Sequence, residues 1–130
     1  MERLNRVVEA GGRLLKAERV GGAGPGIAPA FLLTFDVGRL LIEVDSVAGR
    51  VHSVHIESAE EIPKDLELAS EDEPWWRIMG CPLARVSAGD VGAQGLRLQF
   101  REDHDNPRIV ALIPSGADVQ VRLEPLAELH

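Results

Sequence analysis

Apolar and polar residues alternate through the middle of the chain with a period of two, which is typical of β-strands that bury one face. Three such segments follow one another, separated by turns that contain Gly38 and Gly49. Because short turns join neighbouring strands antiparallel, the pattern predicts a meander in which Val54 and Ile56 continue the row that faces the core. The first two segments are residues 31–36 and 40–45, and the third includes the residues from His52 to Glu57.

The same pattern predicts strands on both sides of this meander. Residues 13–20 precede it, and the most regular alternation in the chain covers residues 96–100. A continuous apolar run from Ile109 to Ile113 is typical of a central strand that is buried on both faces. With further short strands at residues 83–87 and 119–123, the chain has about eight predicted strands.

Two short helices are expected beside these strands. The first covers residues 1–10, whose apolar residues share one helical face, and Gly11 provides its end. The second is predicted over residues 74–79, which begin with a proline and are followed by a glycine. Ser70 and Glu73 precede it with the spacing of a capping box, which favours a helix start at this point.

These elements predict an α+β domain dominated by antiparallel β-sheet, in which about eight strands form one curved or partly barrel-like sheet beside two short helices. The length of 130 residues fits a single domain that covers residues 1–130. Residues 21–29 hold four glycines and two prolines and are expected to form a flexible loop. Residues 58–73 are rich in acidic side chains and are expected to form an irregular acidic connection.

Acidic residues outnumber basic residues by 21 to 14, which gives the chain a formal net charge of −7. This charge repels phosphate backbones and disfavours nucleic-acid binding, whereas it suits a basic protein partner. No apolar run is long enough to span a membrane, and the first residues are charged where a secretion signal needs apolar ones. The single cysteine, Cys81, excludes an intramolecular disulfide, so we expect a cytoplasmic protein with no membrane partner.

The two tryptophans of the chain are adjacent, at Trp75 and Trp76, directly after the acidic connection. Neighbouring side chains point in different directions on any regular element, so one indole is expected in the core and the other at the surface. An exposed indole beside acidic residues is typical of a protein interface, because aromatic residues carry much of the binding energy there. The predicted partner-binding residues are Glu71, Asp72, Glu73, Trp75 and Trp76.

No pattern in the sequence predicts an enzyme, a cofactor site or a metal site. Strand alternation places His55 and Glu57 on one face and His52 on the other, which leaves too few local ligands for a metal ion. Cys81 follows a predicted helix C-terminus, where the helix dipole disfavours a reactive thiolate, so a structural role is expected. The glycine-rich loop lacks both common phosphate-binding patterns. We therefore expect a non-enzymatic protein that binds no cofactor.

The second half of the chain has a distinctive order of elements: a helix that leads into Ile78-Met79-Gly80, a short strand, and a glycine-led strand from Gly95 to Phe100. Upstream, Leu33–Asp36 and Leu41–Asp45 read as an opening hairpin. In this order the chain resembles the DUF6334-like family of small bacterial proteins of unknown function. Small β-rich proteins of this kind also resemble immunity proteins of bacterial toxin systems, and that resemblance implies neutralisation of a toxin.

Protein binding, including immunity-type neutralisation of a toxin, is the leading prediction from the sequence. One alternative is a small-ligand pocket inside the curved sheet, with His52 or Arg97 as its polar group. Another alternative is a homo-oligomeric structural module, such as a homodimer that pairs through an edge strand or through the tryptophan segment. The three classes differ in partner, so binding experiments can separate them.

Overall fold

The computed structural model describes residues 2–21, 27–45, 47–69, 73–88, 95–100 and 108–124. Within these ranges the chain forms ten strands, one α-helix and two short 3₁₀ helices. The helix is α1 (Glu2–Glu9), and the 3₁₀ helices are Ala59–Glu61 and Pro74–Arg77. The strands are β1 (Leu14–Val20), β2 (Ile27–Ala28), β3 (Ala30–Phe35), β4 (Gly38–Val44), β5 (Val51–Ile56), β6 (Leu66–Leu68), β7 (Leu83–Ala88), β8 (Leu96–Phe100), β9 (Arg108–Ser115) and β10 (Asp118–Glu124).

The strands form two open antiparallel sheets of five strands each. Sheet 1 has the order β5-β4-β3-β1-β6, and sheet 2 has the order β2-β10-β9-β8-β7. The prediction of an α+β fold that is mostly antiparallel sheet is confirmed, but the prediction of one curved, partly barrel-like sheet is wrong. Each sheet has one strongly apolar face, and two such faces can be buried against each other without closing a barrel.

The described ranges contain ten strands where the sequence predicted about eight, and the two additional strands lie inside predicted connections. Strand β2, Ile27–Ala28, occupies the end of the expected loop 21–29 and pairs with β10. Residues 22–26 of that loop lie outside the described residues. Strand β6, Leu66–Leu68, lies within the expected acidic connection 58–73 and pairs with β1. Both strands are too short to produce a periodic signal, and pairing with a longer neighbour stabilises them.

The core lies between the two sheets. In sheet 1, Arg19, Phe31 and Ile42 pair across β1, β3 and β4, so these residues share one face. Phe31 and Ile42 are fully buried, which identifies this face as the inner one. In sheet 2, Leu98 and Val110 form part of the opposing inner face. Together, the two inner faces and helix α1 contribute to one hydrophobic cluster.

The register of β5 differs from the prediction that Val54 and Ile56 face the core. Val51 pairs with Val44, which places the alternate residues Val51, Ser53 and His55 on the inner face. His52 and Val54 therefore lie on the outer face. The connection between β4 and β5 sets this register. A shift of one residue moves every side chain to the opposite face, and the alternation alone did not specify which row is buried.

The helical predictions are confirmed for the first helix and corrected for the second. Helix α1 ends at Glu9, and Gly11 adopts a φ of 67°, a left-handed conformation that suits glycine after a helix. The second element is a 3₁₀ helix, Pro74–Arg77, rather than a longer helix to residue 79. Glu73 is its N-cap residue, but the Glu73 side chain makes no capping hydrogen bond because it binds Arg19 instead. No helix in the described ranges is long and apolar enough to cross a membrane.

Candidate protein-binding site

The two adjacent tryptophans occupy different environments, as the sequence predicted. Trp75 has no exposed surface, and its ring packs against Phe31 with the ring centroids 5.7 Å apart and the planes tilted by 54°. Tilted aromatic pairs at this separation are favourable beyond the area they bury. Trp75 is therefore the core anchor that attaches the segment between β6 and β7 to sheet 1.

Trp76 is the surface member of the pair, with 43% of its area exposed. Its indole N–H donates a hydrogen bond to the carbonyl oxygen of Ala69 over 2.6 Å. The Ala69 N–H in turn donates to the carbonyl oxygen of Ala17 on β1 over 3.0 Å. This chain of bonds fastens the indole to the margin of sheet 1 while part of the ring stays open to solvent.

Two further apolar side chains are exposed along the same margin of sheet 1. Leu68 lies on β6, the outermost strand of the sheet, and is 54% exposed. Leu15 lies at the irregularity in the pairing of β1 with β3, and is 57% exposed. We call the group formed by Leu15, Leu68, Trp76 and the side of β6 that pairs with no described strand the Trp76 edge. Exposed apolar side chains at the margin of a sheet are typical of interaction surfaces.

A buried arginine lies behind the Trp76 edge. Arg19 occupies the inner face of β1 and is only 7% exposed. Its guanidinium binds the carboxylate of Glu73, which is buried, and the carboxylate of Glu67, which is largely exposed, with 2.8 Å from Arg19 Nη2 to Glu67 Oε2. The hydrogen bonds from Arg19 to Glu67 and to Glu73 raise the pKa of the guanidinium above its usual range. Arg19 therefore joins the strand β6 and the tryptophan segment through one charged group.

The acidic residues predicted to contact a partner have different locations. Glu73 is buried and paired with Arg19, so its carboxylate faces inward rather than toward solvent. Glu71 and Asp72 lie outside the described residues. Glu67 was not predicted as a site residue, yet its carboxylate lies at the surface of β6. The position of Glu67, with one leucine on each side, is a strand alternation too short to be recognised from the sequence.

No family model, no curated protein and no solved structure matches this chain significantly. The resemblance to the DUF6334-like family therefore stays a prediction.

The histidines do not assemble into a metal centre in the part of the chain that the structure describes. His52 and His55 lie on opposite faces of β5, as predicted. His52 contacts Glu43 on the outer face, with 3.3 Å between Nε2 and Oε2, and His55 contacts Glu57, with 3.6 Å between Nδ1 and Oε1. No group of three or more metal-ligating side chains occurs among the described residues.

Cys81 is partly buried against the hydrophobic core. Its carbonyl oxygen accepts a hydrogen bond from the Leu14 N–H over 3.2 Å, and the Gly80 N–H donates to the Leu14 carbonyl oxygen over 2.7 Å. These bonds attach the end of the tryptophan segment to β1. Cys81 therefore lies in a structural position at the junction between the two sheets.

A pocket of about 220 Å³ lies at the margin of sheet 1 that is opposite β6, between α1 and the strands β4 and β5. The sequence suggested His52 or Arg97 as the polar group of a ligand pocket, but neither residue lines this one. Both lie on the outer faces of their sheets, His52 beside Glu43 and Arg97 opposite Ala111. The histidine that reaches the pocket is His55, on the inner face of β5.

Proposed function

We propose that the chain is a protein-binding domain that docks a basic partner through the Trp76 edge. The observation that carries the proposal is the state of Trp76, which is 43% exposed although its N–H is hydrogen-bonded within the domain. An indole held in one orientation loses little conformational entropy when a partner covers it. Aromatic side chains of this kind are common energetic centres of interfaces.

The rest of the Trp76 edge supports an interface with a mixed chemical character. Leu15 and Leu68 add apolar surface to the indole, and Glu67 adds a carboxylate between them and the buried Arg19. In the sequence, Glu71 and Asp72 follow within a few residues of β6. An apolar centre with acidic neighbours favours a partner that has an apolar pocket with basic residues around it, and long-range attraction would accelerate the encounter.

Neutralisation of a toxin in the cytoplasm is the specific role that we propose for this binding. It rests on the resemblance to small β-rich immunity proteins and on the net charge of −7. A toxin that acts on nucleic acid needs a basic surface to bind phosphates, and an acidic protein can cover such a surface. This role requires no catalytic group and no cofactor on the side of the binding domain.

Capture of partners from cells of the source organism tests the proposal when it is done with matched variants. Trp76→Ser removes the exposed indole, and Val47→Ser removes an apolar side chain that is 95% exposed in the β4–β5 turn, at the opposite margin of sheet 1. We expect one stoichiometric, basic protein with the wild type and with Val47→Ser, and its loss with Trp76→Ser. Thermal unfolding of both variants verifies that they are folded. Equal capture by all three proteins would contradict a role for the Trp76 edge.

Self-association is the main competing use of the same surface. Among the described residues, only β1 pairs with strand β6, so two copies could pair edge to edge. Light scattering across a range of protein concentrations distinguishes the two. A mass that doubles with concentration in the wild type and stays monomeric in Trp76→Ser would replace the proposed partner with a second copy of this chain.

A further inference from the structure

The pocket beside α1 is a second candidate site, separate from the Trp76 edge. Its walls are α1, the β3–β4 turn and the adjoining parts of β4 and β5. In sheet 1, β5 and β4 lie at one margin and β6 lies at the other, with β3 and β1 between them. The pocket and the Trp76 edge therefore occupy opposite margins of the same sheet.

Apolar side chains from three parts of the chain line the pocket. Val7 lies on α1 and Ala10 directly after its end, Val37 lies in the β3–β4 turn, and Leu40 lies on β4. Gly12 lies between Val7 and Val37. A Cβ atom at this position would be 2.6 Å from Val7 Cγ1 and 2.9 Å from Val37 Cγ2. This close approach fixes the helix against the turn, so the cavity is formed before any ligand arrives.

The rim of the pocket is cationic, in a protein whose overall charge is negative. Arg3 and Arg6, one turn apart on α1, lie on one side, and His55 lies on the other. His55 turns its Nδ1 toward Glu57 at a distance of 3.6 Å. Its Nε2 is directed to Gly38, where it lies 3.6 Å from the position of a Cβ atom. The Nε2 of His55 therefore faces the pocket, and Glu57 is the carboxylate behind the ring.

We propose that this pocket binds a small organic anion, with a carboxylate or phosphate head at Arg3 and His55 and a compact apolar body against Val7 and Leu40. A guanidinium group forms short, charge-assisted hydrogen bonds to such oxygens, and an imidazole N–H also donates to them. The volume of about 220 Å³ is larger than an inorganic anion requires. Because the walls are apolar, an apolar ligand body is favoured over water in the remaining space.

Two matched pairs of small molecules test the chemistry of the ligand. Benzoate and benzamide have the same shape but differ in charge, and phenyl phosphate and sulfate differ in the apolar body. Titrations of the full chain are followed by the shifts of backbone amide signals in NMR spectra. We expect benzoate or phenyl phosphate to shift the amides around the pocket, with benzamide and sulfate at least about tenfold weaker. Equal affinity for benzamide, equal affinity for sulfate, or no shift at the pocket with either organic anion would overturn the proposal.

Variants of the chain test the location of the site. Arg3→Gln removes a cation that lines the pocket, whereas Arg39→Gln removes an exposed cation that lies on the outer face of β4. Ala10→Phe fills the pocket from an exposed position directly after α1, without a change in charge. Binding of the organic anion should weaken about tenfold in Arg3→Gln, disappear in Ala10→Phe and persist in Arg39→Gln. Equal losses in the two arginine variants would show a general effect of charge and contradict the site.

The variant His55→Gln tests the role of His55 in the site. The imidazole Nε2 faces the pocket, so its replacement removes a hydrogen-bonding group from the rim. Benzoate should bind about fivefold more weakly to His55→Gln than to the wild type, while the difference between benzoate and benzamide remains because Arg3 is retained. An unchanged affinity for benzoate in His55→Gln would exclude His55 from the site.

Discussion

Replacement of Glu73 by glutamine removes the charge that pairs with the buried Arg19 guanidinium. In the wild type both side chains are almost completely shielded from solvent, and Arg19 has its second carboxylate partner, Glu67, at the surface. When one member of a buried ion pair is removed, the other charge stays in a poorly solvated position, and the cost is typically about 3–5 kcal/mol. The remaining contact with Glu67 and the hydrogen-bonding capacity of glutamine place Glu73→Gln near the lower limit, at about 3 kcal/mol.

The matched control is Glu67→Gln, which makes the same chemical change at the other carboxylate of Arg19. Glu67 has 63% of its side chain exposed, so solvent screens its interaction with the guanidinium. Exposed ion pairs contribute only about 0–1 kcal/mol to the free energy of unfolding. A third variant, Arg19→Met with Glu73→Leu, replaces both buried charges by apolar side chains and should recover most of the loss, because no unpaired charge remains.

Equilibrium unfolding in urea measures the three free energies, and thermal unfolding provides a second readout. A loss of about 3 kcal/mol corresponds to a decrease in Tm of roughly 10 °C for a domain of this size. We expect a large decrease in Glu73→Gln, a small one in Glu67→Gln, and a double variant more stable than Glu73→Gln. The reasoning would be refuted if the two glutamine variants lost equal stability, or if the double variant were the least stable of the three.

Four further substitutions have expected outcomes that unfolding experiments can measure. Trp75→Ala should lower the free energy of unfolding by about 3–5 kcal/mol, because it leaves a large cavity in the core. Trp76→Ala should lower it by about 1 kcal/mol and act mainly on binding. Equal losses in the two variants would contradict the assignment of the two rings. Gly12→Ala should cost about 1–3 kcal/mol, since its methyl group would collide with α1 and the β3–β4 turn, and a stability equal to the wild type would show that the helix can move away. In the β4–β5 turn, hydrogen bonds from two backbone N–H groups lower the pKa of the Asp45 carboxyl. The stabilisation by Asp45 is therefore full above the unfolded-state pKa of about 3.9, and it is lost as the pH falls through the lower folded-state pKa. Asp45→Ala should consequently be less stable than the wild type at neutral pH and as stable as the wild type in strong acid.

The sequence predicted the long strands well because their period of two extends over five or more residues. Strands β4 and β8 alternate buried side chains with more exposed ones, which is the pattern that the alternation indicates, whereas the central strand β3 buries side chains on both of its faces. Strands β2 and β6 have two and three residues, and their stability comes from a partner that lies far away in the sequence. No local pattern can contain that information.

The register of β5 shows a second limit of sequence reasoning. Both rows of this strand contain apolar and polar residues, so either row could face the core. The connection after β4 decides the outcome: the Gly49 N–H donates to the Asp45 carbonyl oxygen over 2.7 Å, and the Asp45 N–H donates to the Arg50 carbonyl oxygen over 2.8 Å. These bonds close a turn that brings Val51 opposite Val44. As a result, His55 faces inward and can line the pocket beside α1.

The candidate site was predicted in part. The adjacency of the two tryptophans predicted one buried and one exposed ring, and Trp75 and Trp76 confirm it. The spacing of Ser70 and Glu73 suggested a capping box, but the Glu73 carboxylate binds Arg19 in the folded chain. Arg19 is separated from Glu73 by 54 positions, so only the three-dimensional fold reveals the competition between a local cap and a distant ion pair.

Arg19 and Glu73 also explain why the exposed indole has a fixed place. A pair of apolar side chains at these positions should give the domain nearly the same stability, since the loss of hydration largely offsets the attraction between two buried charges. What the charged pair adds is direction: its hydrogen bonds hold Glu73, the residue that begins the 3₁₀ helix, at one point of β1. Trp75 then inserts into the core, and Trp76 is left at the margin beside Ala69. Local departures from the rule of apolar interiors are expected where a fold supports a functional surface. The buried pair is therefore the physical link between the core of this domain and the surface through which we propose that it binds its partner.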